Sequence, residues 1–456
     1  MTYQATVEQL YALGHELAAT PSNKFDLTYV REMLAALGNP ERRFPSVLIA
    51  GTNGKGSTAA TLSSILRVAG YKTGLYTSPH LVSINERMRV NGEAIADVEF
   101  SEIYDRVERT AQQLLHAGKL PWHPSFFEML TVMAFEYFAS VSADIAVLEV
   151  GMGGRLDATN VVYPLISVIT DISLDHQRYL GHSIGEIARE KAGIIRENGL
   201  VVTLPQHPAA NDVIGNTILE RNATGISAVK YTPPVSPGAA EYLAGIVAPV
   251  PGRNRYPLSV LGEEMVVDSP LVGRHQFRNI ALAIATAEEL AKFGFKVTAS
   301  QIEQGIRETH WRGRFQVVPG AEISHSYNVR NNVIFDVAHN PAGAWALRSA
   351  ISETFPNREI TLVFAAMRDK AVQEMADILF PLAANVIVTH IDNPRAASVE
   401  ELQQAGSRTG AEMVSEPNTA AALACAFELS PADGIVVVTG SIFLVGEAMK
   451  VLGIPA

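Results

Sequence analysis

Cysteine is nearly absent: Cys425 is the only one in 456 residues. A single thiol can form no intramolecular disulfide and no cysteine-based metal cluster, which suits a reducing compartment, so a cytoplasmic location is expected. Long apolar runs are missing too. The strongest, Val161–Thr170 and Gly434–Val445, are interrupted by Pro, Ser or Gly, and they fall short of the roughly 18 residues a membrane span needs. They read as buried strands with their turns. The opening segment MTYQATVEQLYALGHEL carries acidic residues and lacks the basic-then-apolar order of a secretory leader. Positive charge is not in excess either: 36 Lys and Arg stand against 47 Asp and Glu, a formal net charge of −11. That balance argues against general nucleic-acid affinity. It leaves room for small anionic substrates, since a local cluster of cations sets the field inside a cleft.

What the chain does have is a glycine-rich turn around a lysine. Ser46 to Thr58 reads SVLIAGTNGKGST, an apolar run followed by Gly51, Thr52, Asn53, Gly54, Lys55, Gly56, Ser57 and Thr58. Glycines let successive backbone N–H groups turn toward an anion, and a helix opening there adds its positive end. Lysine supplies a charge for β- and γ-phosphates, and a hydroxyl can ligate Mg²⁺. The spacing departs from GxxxxGK[ST]: Gly51 lies three residues before Gly54, and Gly56 separates Lys55 from Ser57. A mere βα turn needs neither lysine nor hydroxyls, so the segment points to a nucleoside triphosphate.

Length and pattern predict more than one domain. Strands are expected near Val47–Ala50, Gly74–Thr77, Asp144–Val150, Leu165–Thr170 and Leu200–Leu204. Helices are expected at Ser57–Ala69, Ser101–His116, Phe126–Ser140, Ile184–Arg196 and Gln276–Phe293, from apolar positions three and four apart. Pro205–Leu271, rich in Pro, Gly, Asn and Ser, reads as irregular loops with a small antiparallel sheet. A second unit follows, with strands at Val333–Val337, Ile360–Ala365, Asn385–His390 and Gly434–Thr439. Its helices are expected at Pro341–Thr354, Ala371–Leu379, Val399–Ala405, Thr419–Leu429 and Ile442–Leu452. Strands alternating with helices favour parallel sheets. The expected fold is therefore α/β: a P-loop ATPase-like domain over 1–309, with a mainly parallel sheet and a small antiparallel subdomain, then a Rossmann-like domain over 310–456. The junction is placed near Thr309–Gly313, and ligand between the two units.

Glu149 ends a strand and runs into Gly151-Met152-Gly153-Gly154-Arg155. Carboxyl ends of parallel strands are where α/β proteins bind ligands, so Glu149 is either a Mg²⁺ ligand facing the phosphate loop or a carboxylate capping a glycine turn. His176 follows the next strand, and Lys191 lies 15 residues later on a helix. Taken alone, these two read as an ordinary loop histidine and a surface lysine.

Order along the chain adds meaning. GTNGKGST, LYTSPHLVSINERMRVNG, EVGMGGRLDATN, DHQRYLG and EKAGII, then GRHQFRN, HWRGRFQV and FDVAHNPAG, follow one another from residue 51 to residue 343. In that order they resemble the folylpolyglutamate synthase/dihydrofolate synthase family of the Mur-ligase group, which forms amide bonds at the expense of ATP. The resemblance is close over Lys24–Ala346 and looser beyond.

It implies ATP on Gly51–Thr58, with Lys55 and Ser57 as leading contacts, and two Mg²⁺ ions. One ion would be shared by the triphosphate, Ser57, Glu149 and Ser78; the other would use His176 and a carbamylated Lys191. Carbamylation turns a repelling cation into a hard oxygen donor of the kind Mg²⁺ prefers. On these grounds Lys55, Glu149, His176 and Lys191 form the catalytic set. Asn279 and Arg314 resemble adenine-side and phosphate-side contacts, and Asp336 and His339 nucleotide-side residues, although Val337 stands where many relatives have glycine. For the pteridine, Phe127 could stack and Asp157 could accept hydrogen bonds, while Arg87 could meet substrate carboxylates. Phe127 could equally be helix core, and Arg87 could pair with Glu86. The implied activity is folylpolyglutamate (tetrahydrofolate) synthase, joined by dihydrofolate synthase, with a possible monovalent-cation requirement. Folate or dihydropteroate, L-glutamate and ATP are the expected partners of a monomer. A cell-wall Mur ligase would normally place a UDP-sugar domain ahead of the loop, and only 50 residues precede Gly51 here. A nucleotide switch without ligase activity is the remaining alternative.

Overall fold

In the computed structural model the described residues are 1–14, 26–233, 247–248, 250, 252–323 and 329–455. Eight strands form the first sheet: β1 (Ser46–Ala50), β2 (Thr73–Tyr76), β3 (Met88–Val90), β4 (Glu93–Ala94), β5 (Ile145–Glu149), β6 (Ile166–Ile169), β7 (Leu200–Thr203) and β8 (Thr224–Ser227). Their order is β4-β3-β2-β5-β1-β6-β7-β8, and only the β2–β3 and β3–β4 pairings are antiparallel. Strand β1 is interior, between β5 and β6, and buried at every position. Such a strand reads as a continuous apolar run because helices cover both faces. The pleat sorts its side chains. Leu48 and Ala50 pack with Met129, Leu130 and Met133 of helix Phe126–Ser140. Val47 and Ile49 pack with Leu62 and Ile65 of helix Lys55–Val68 and with Ile280 of helix Arg274–Leu290.

A hairpin, β9 (Asn254–Val260) with β10 (Glu263–Ser269), supplies the small antiparallel element. The second sheet comprises β11 (Gln316–Val318), β12 (Asn332–Phe335), β13 (Ile360–Phe364), β14 (Asn385–Thr389), β15 (Met413–Glu416) and β16 (Ile435–Thr439), in the order β11-β12-β16-β13-β14-β15. Only β11 runs antiparallel. The α/β class, the mainly parallel first sheet and the Rossmann-like second unit are as the sequence predicts.

The stretch Pro205–Leu271 needs correction. Besides the hairpin it holds a helix, Pro208–Glu220, and β8, which extends the main sheet parallel to β7. Pro208 starts that helix instead of breaking it, because a first-turn N–H has no intrahelical partner to lose; the His207 ring accepts from the Ala209 N–H. Strand β8 reads TGIS and is largely exposed, so it carries no apolar signal. Residues 234–246, 249 and 251 of the stretch lie outside those described. Helices Tyr3–Ala12, Leu27–Ala36 and Ala299–Arg307, and strands β3, β4, β11 and β15, also come without a sequence expectation. Among the described residues no helix is long and apolar enough to cross a membrane.

Candidate functional site

The carboxyl ends of β1, β5 and β6 face those of β12, β13 and β16 across a cavity of about 780 Å³. The loop after β1 forms its floor. Gly54, at φ +90°, caps helix Lys55–Val68 with no side-chain hydrogen bond, which leaves the positive helix end for an anion. A Cβ on Gly54 would stand 2.1 Å from Asn279 Oδ1, and one on Gly56 would stand 2.9 Å from Trp311 Cζ2. Close approach therefore favours glycine at both positions, and the left-handed turn requires it at Gly54. Lys55 folds back, its Nζ donating to the Gly51 and Thr52 carbonyls at 3.2 Å each. Lys191 Nζ shares the Gly51 carbonyl at 2.7 Å. Burial, then the neighbouring Lys55, lowers the Lys191 pKa to about 7, so a large neutral fraction exists near neutrality. Thr52 and Asn53 tie the loop to Ser173, and Asn53 also pairs with Asn340. Ser57 lines the cavity, whereas Thr58 turns inward and donates to the Asn279 carbonyl.

Glu149 and Ser78 stand together: the Ser78 N–H donates to Glu149 Oε2 at 3.2 Å. With Ser57 they offer hard oxygens beside the phosphate loop, a donor set suited to Mg²⁺ held jointly with a triphosphate. Among the described residues no group of three or more His, Cys, Asp or Glu is arranged to hold a metal ion by itself. That is compatible with Mg²⁺, which takes one or two carboxylates and fills the rest from phosphates and water. His176 Nδ1 is buried with no hydrogen-bond partner. Burial, then Lys370, lowers its pKa to about 3, so the ring is neutral and its unfilled nitrogen fits a ligand role. Lys191 fits a second cation only after conversion to a carbamate.

Between the sheets lies Asp175, which sequence reasoning passed over. Lys370 Nζ donates to its Oδ1 at 2.6 Å, and Asn340 Nδ2 to its Oδ2 at 3.3 Å. His339 Nε2 stands 3.6 Å from Oδ2. Burial alone would raise the Asp175 pKa, but His339, His176 and Lys370 outweigh it and hold the carboxyl far below its usual range. Lys370 also touches His176 Nε2 at 3.4 Å. It lies in the loop beyond Phe364, the last residue of β13, so the strand-end rule that singled out Glu149 does not reach it.

Asn279 is buried, and its Nδ2 donates to Gln276 Oε1 at 2.8 Å. Asp336 accepts from the Phe315 and Ala338 N–H groups. Burial raises its pKa against the pull of Arg314, whose own pKa burial lowers despite nearby Asp336 and Glu149. The structure thus brings Asn279, Arg314, Asp336 and His339 to one cavity wall.

The opposite wall carries Leu27, Val30, Phe126, Phe127 and Asp157. Phe127 leans against Gly151, where a Cβ would meet its ring at 2.5 Å. Asp157 Oδ2 accepts from the Met152 N–H, and Oδ1 accepts from the N–H and hydroxyl of Thr159. Each carboxylate oxygen has two lone-pair sites; Thr159 fills both on Oδ1, and burial outweighs these bonds and raises the Asp157 pKa. Arg87 is not part of the wall. It is buried behind Phe126, with its guanidinium 5.3 Å from that ring and its Nε donating to His80 Nδ1. Pairing with Glu86 is not its arrangement: Glu86 accepts from the N–H groups of Leu81, Val82 and Ser83.

Two family models match the chain: the Mur ligase middle domain over residues 106–287 and the Mur ligase glutamate ligase domain over 313–442. The dihydrofolate synthase/folylpolyglutamate synthase of Bacillus subtilis is 32% identical over 92% of this chain and 93% of that protein. The folylpolyglutamate synthase of Lacticaseibacillus casei is 33% identical over 99% of both. Among solved structures, the Mycobacterium tuberculosis folylpolyglutamate synthase complexed with ADP and AMPPCP superimposes with a TM-score of 0.84 at 31% identity, covering 99% of each chain. Escherichia coli FolC in complex with DHPP and ADP gives 0.82 at 28%, covering 99% of this chain and 98% of that one.

Proposed function

The chain belongs to the folylpolyglutamate synthase/dihydrofolate synthase family of Mur ligases, and from that membership we propose that it joins L-glutamate to the γ-carboxylate of a folate at the expense of ATP. The carboxylate attacks the γ-phosphorus, giving an acyl phosphate and ADP. The glutamate amine then attacks the acyl carbon, loses a proton, and phosphate departs from the tetrahedral intermediate. One continuous cavity carries this reading. It joins the phosphate loop, the aromatic wall of Phe126 and Phe127, and Lys370 with Ser441 on the far side, so three reactants can meet there.

Lys55 exchanges the Gly51 and Thr52 carbonyls for phosphate oxygens, and Arg314 sets its fork against the same group. Glu149, Ser78 and Ser57 would hold one Mg²⁺, and His176 with carbamylated Lys191 a second. Bound Mg²⁺ neutralises charge where a carboxylate approaches a triphosphate. Asn279 serves the adenine side, and Asp336 and His339 close on the nucleotide from the second lobe, which begins near Thr309–Gly313. Phe127 and Asp157 receive the pteridine by stacking and by hydrogen bonds to its amino edge.

Dihydropteroate is proposed as a second acceptor, supported by the double activity named for the Bacillus subtilis relative. Purified protein incubated with ATP, Mg²⁺ and labelled glutamate, with tetrahydrofolate or dihydropteroate offered separately, is expected to yield glutamyl conjugates and ADP by mass. ADP release that ignores both acceptor and glutamate would instead indicate a nucleotide switch.

A further inference from the structure

Behind the aromatic wall, four side chains close a ring of contacts. The Tyr11 ring stacks on Phe126 with centroids 5.6 Å apart and planes 16° from parallel. Its hydroxyl oxygen lies 3.1 Å from His80 Nε2. Arg87 Nε donates to His80 Nδ1 at 2.8 Å, and the Arg87 guanidinium returns to Phe126 at 5.3 Å. Arginine has no acceptor, so Nδ1 must accept and the ring hydrogen sits on Nε2, donating to the Tyr11 oxygen. One imidazole thus joins the N-terminal helix Tyr3–Ala12 to Arg87, the last residue of the 3-10 turn Ile84–Arg87. Of the four, only Phe126 lines the cavity. Leu13, which follows the helix, also lines it, so a shift at Tyr11 moves two pieces of wall together.

We propose that His80 is a positioning residue for acceptor binding, holding Tyr11 and Arg87 against the Phe126 wall. The proposal rests on the reading of this wall as the folate-acceptor side. Among the described residues the hydrogen bonds of His80 run to Tyr11 and Arg87, both behind the Phe126 wall, so its effect is expected on the acceptor.

The test is steady-state kinetics on the full chain with three variants. His80→Ala is expected to raise the acceptor KM roughly tenfold, the scale of two lost hydrogen bonds, while the ATP KM stays at its wild-type value. Tyr11→Phe keeps the stacked ring and loses only the hydroxyl, so its increase is expected to be smaller. Combined with His80→Ala it adds nothing, because the bond is already gone. His80→Gln, whose amide can accept from Arg87 and donate toward Tyr11, recovers part of the loss. Equal rises in both KM values, or effects of Tyr11→Phe and His80→Ala that multiply, overturn the proposal. Should His80→Ala not fold, Tyr11→Phe decides, and an unchanged acceptor KM there overturns it as well. Wild-type protein that makes no glutamyl product contradicts the ligase reading itself, a separate outcome from selective kinetics.

Discussion

Two lysines compete for one carbonyl at the heart of the site. Lys55 and Lys191 both donate to Gly51, and each needs another partner once an anion enters. Lys55→Ala is expected to cut kcat by about 10²–10³, the usual effect of removing one preorganised charge-stabilising group; near-normal turnover would contradict the phosphate role. Lys191→Ala should also lose activity, and short carboxylic acids should restore part of it by replacing the carbamate oxygens. Failure of any acid to rescue a well-folded variant argues against that modification. Asp157→Ala should weaken pteridine binding more than ATP binding in parallel titrations, and equal losses would dismiss it from the acceptor wall. At this scale the sequence was legible where chemistry left a spacing. Lys55 sits among glycines, and Glu149 ends a strand beside a glycine turn. Lys370 lies in MRDK with no such signature, and Asp175 was overshadowed by the histidine beside it. Arg87 shows the converse, since a polar residue in a distinctive segment can serve the wall from behind.

Secondary elements were legible when fully buried and obscure when short or exposed. The strands β1, β5, β13 and β16 are buried at every position and mostly apolar because both faces are covered. Strands β8 and β15 are sheet edges with exposed side chains, and their backbone pairing leaves no trace in composition. Helix Phe126–Ser140, which presents the aromatic wall, begins with a capping box in which Ser125 and Glu128 bond reciprocally. Just before it, His123 Nε2 meets Glu108 Oε2 of helix Asp97–His116 at 2.9 Å. That hydrogen bond is the main cause raising the His123 pKa and lowering that of Glu108. The histidine contribution to stability is complete below its unfolded pKa of about 6.5 and is lost as pH rises through the higher folded value. The glutamate contribution is complete above about 4.3 and is lost as pH falls through its lower folded value. The Tm difference between wild type and Glu108→Gln should therefore be largest between these limits and shrink toward alkaline pH. A difference that grows above neutrality would show that the pair is not what anchors this turn.

For the whole molecule, the central parallel strands of both sheets could be read from the chain, but their docking could not. It depends on pairs such as Asp175 with Lys370, 195 residues apart and nearly inaccessible, and on Leu81, whose carbonyl lies 2.0 Å from where a Gly446 Cβ would stand. Periodicity carries no record of such partners. Removing Lys370 takes the lysine partner from buried Asp175 and leaves its charge to His339, His176 and Asn340, part of a defect that reaches about 3–5 kcal/mol when no partner remains. Two lobes can relieve it by moving apart. Lys370→Met is accordingly expected to enlarge the radius of gyration in small-angle scattering and to speed proteolysis between the lobes; an unaltered scattering curve would mean that other contacts hold them.

The indole of Trp311 rests against Gly56 at the start of the helix beneath the phosphate loop. The chain has two other tryptophans: Trp122 packs edge-on to Tyr29, and Trp345 is more than half exposed. With those two changed to phenylalanine, the surviving emission would come from a single chromophore at the nucleotide's doorstep. The molecule thus carries its own optical gauge of occupancy, readable in a stopped-flow trace without any attached dye.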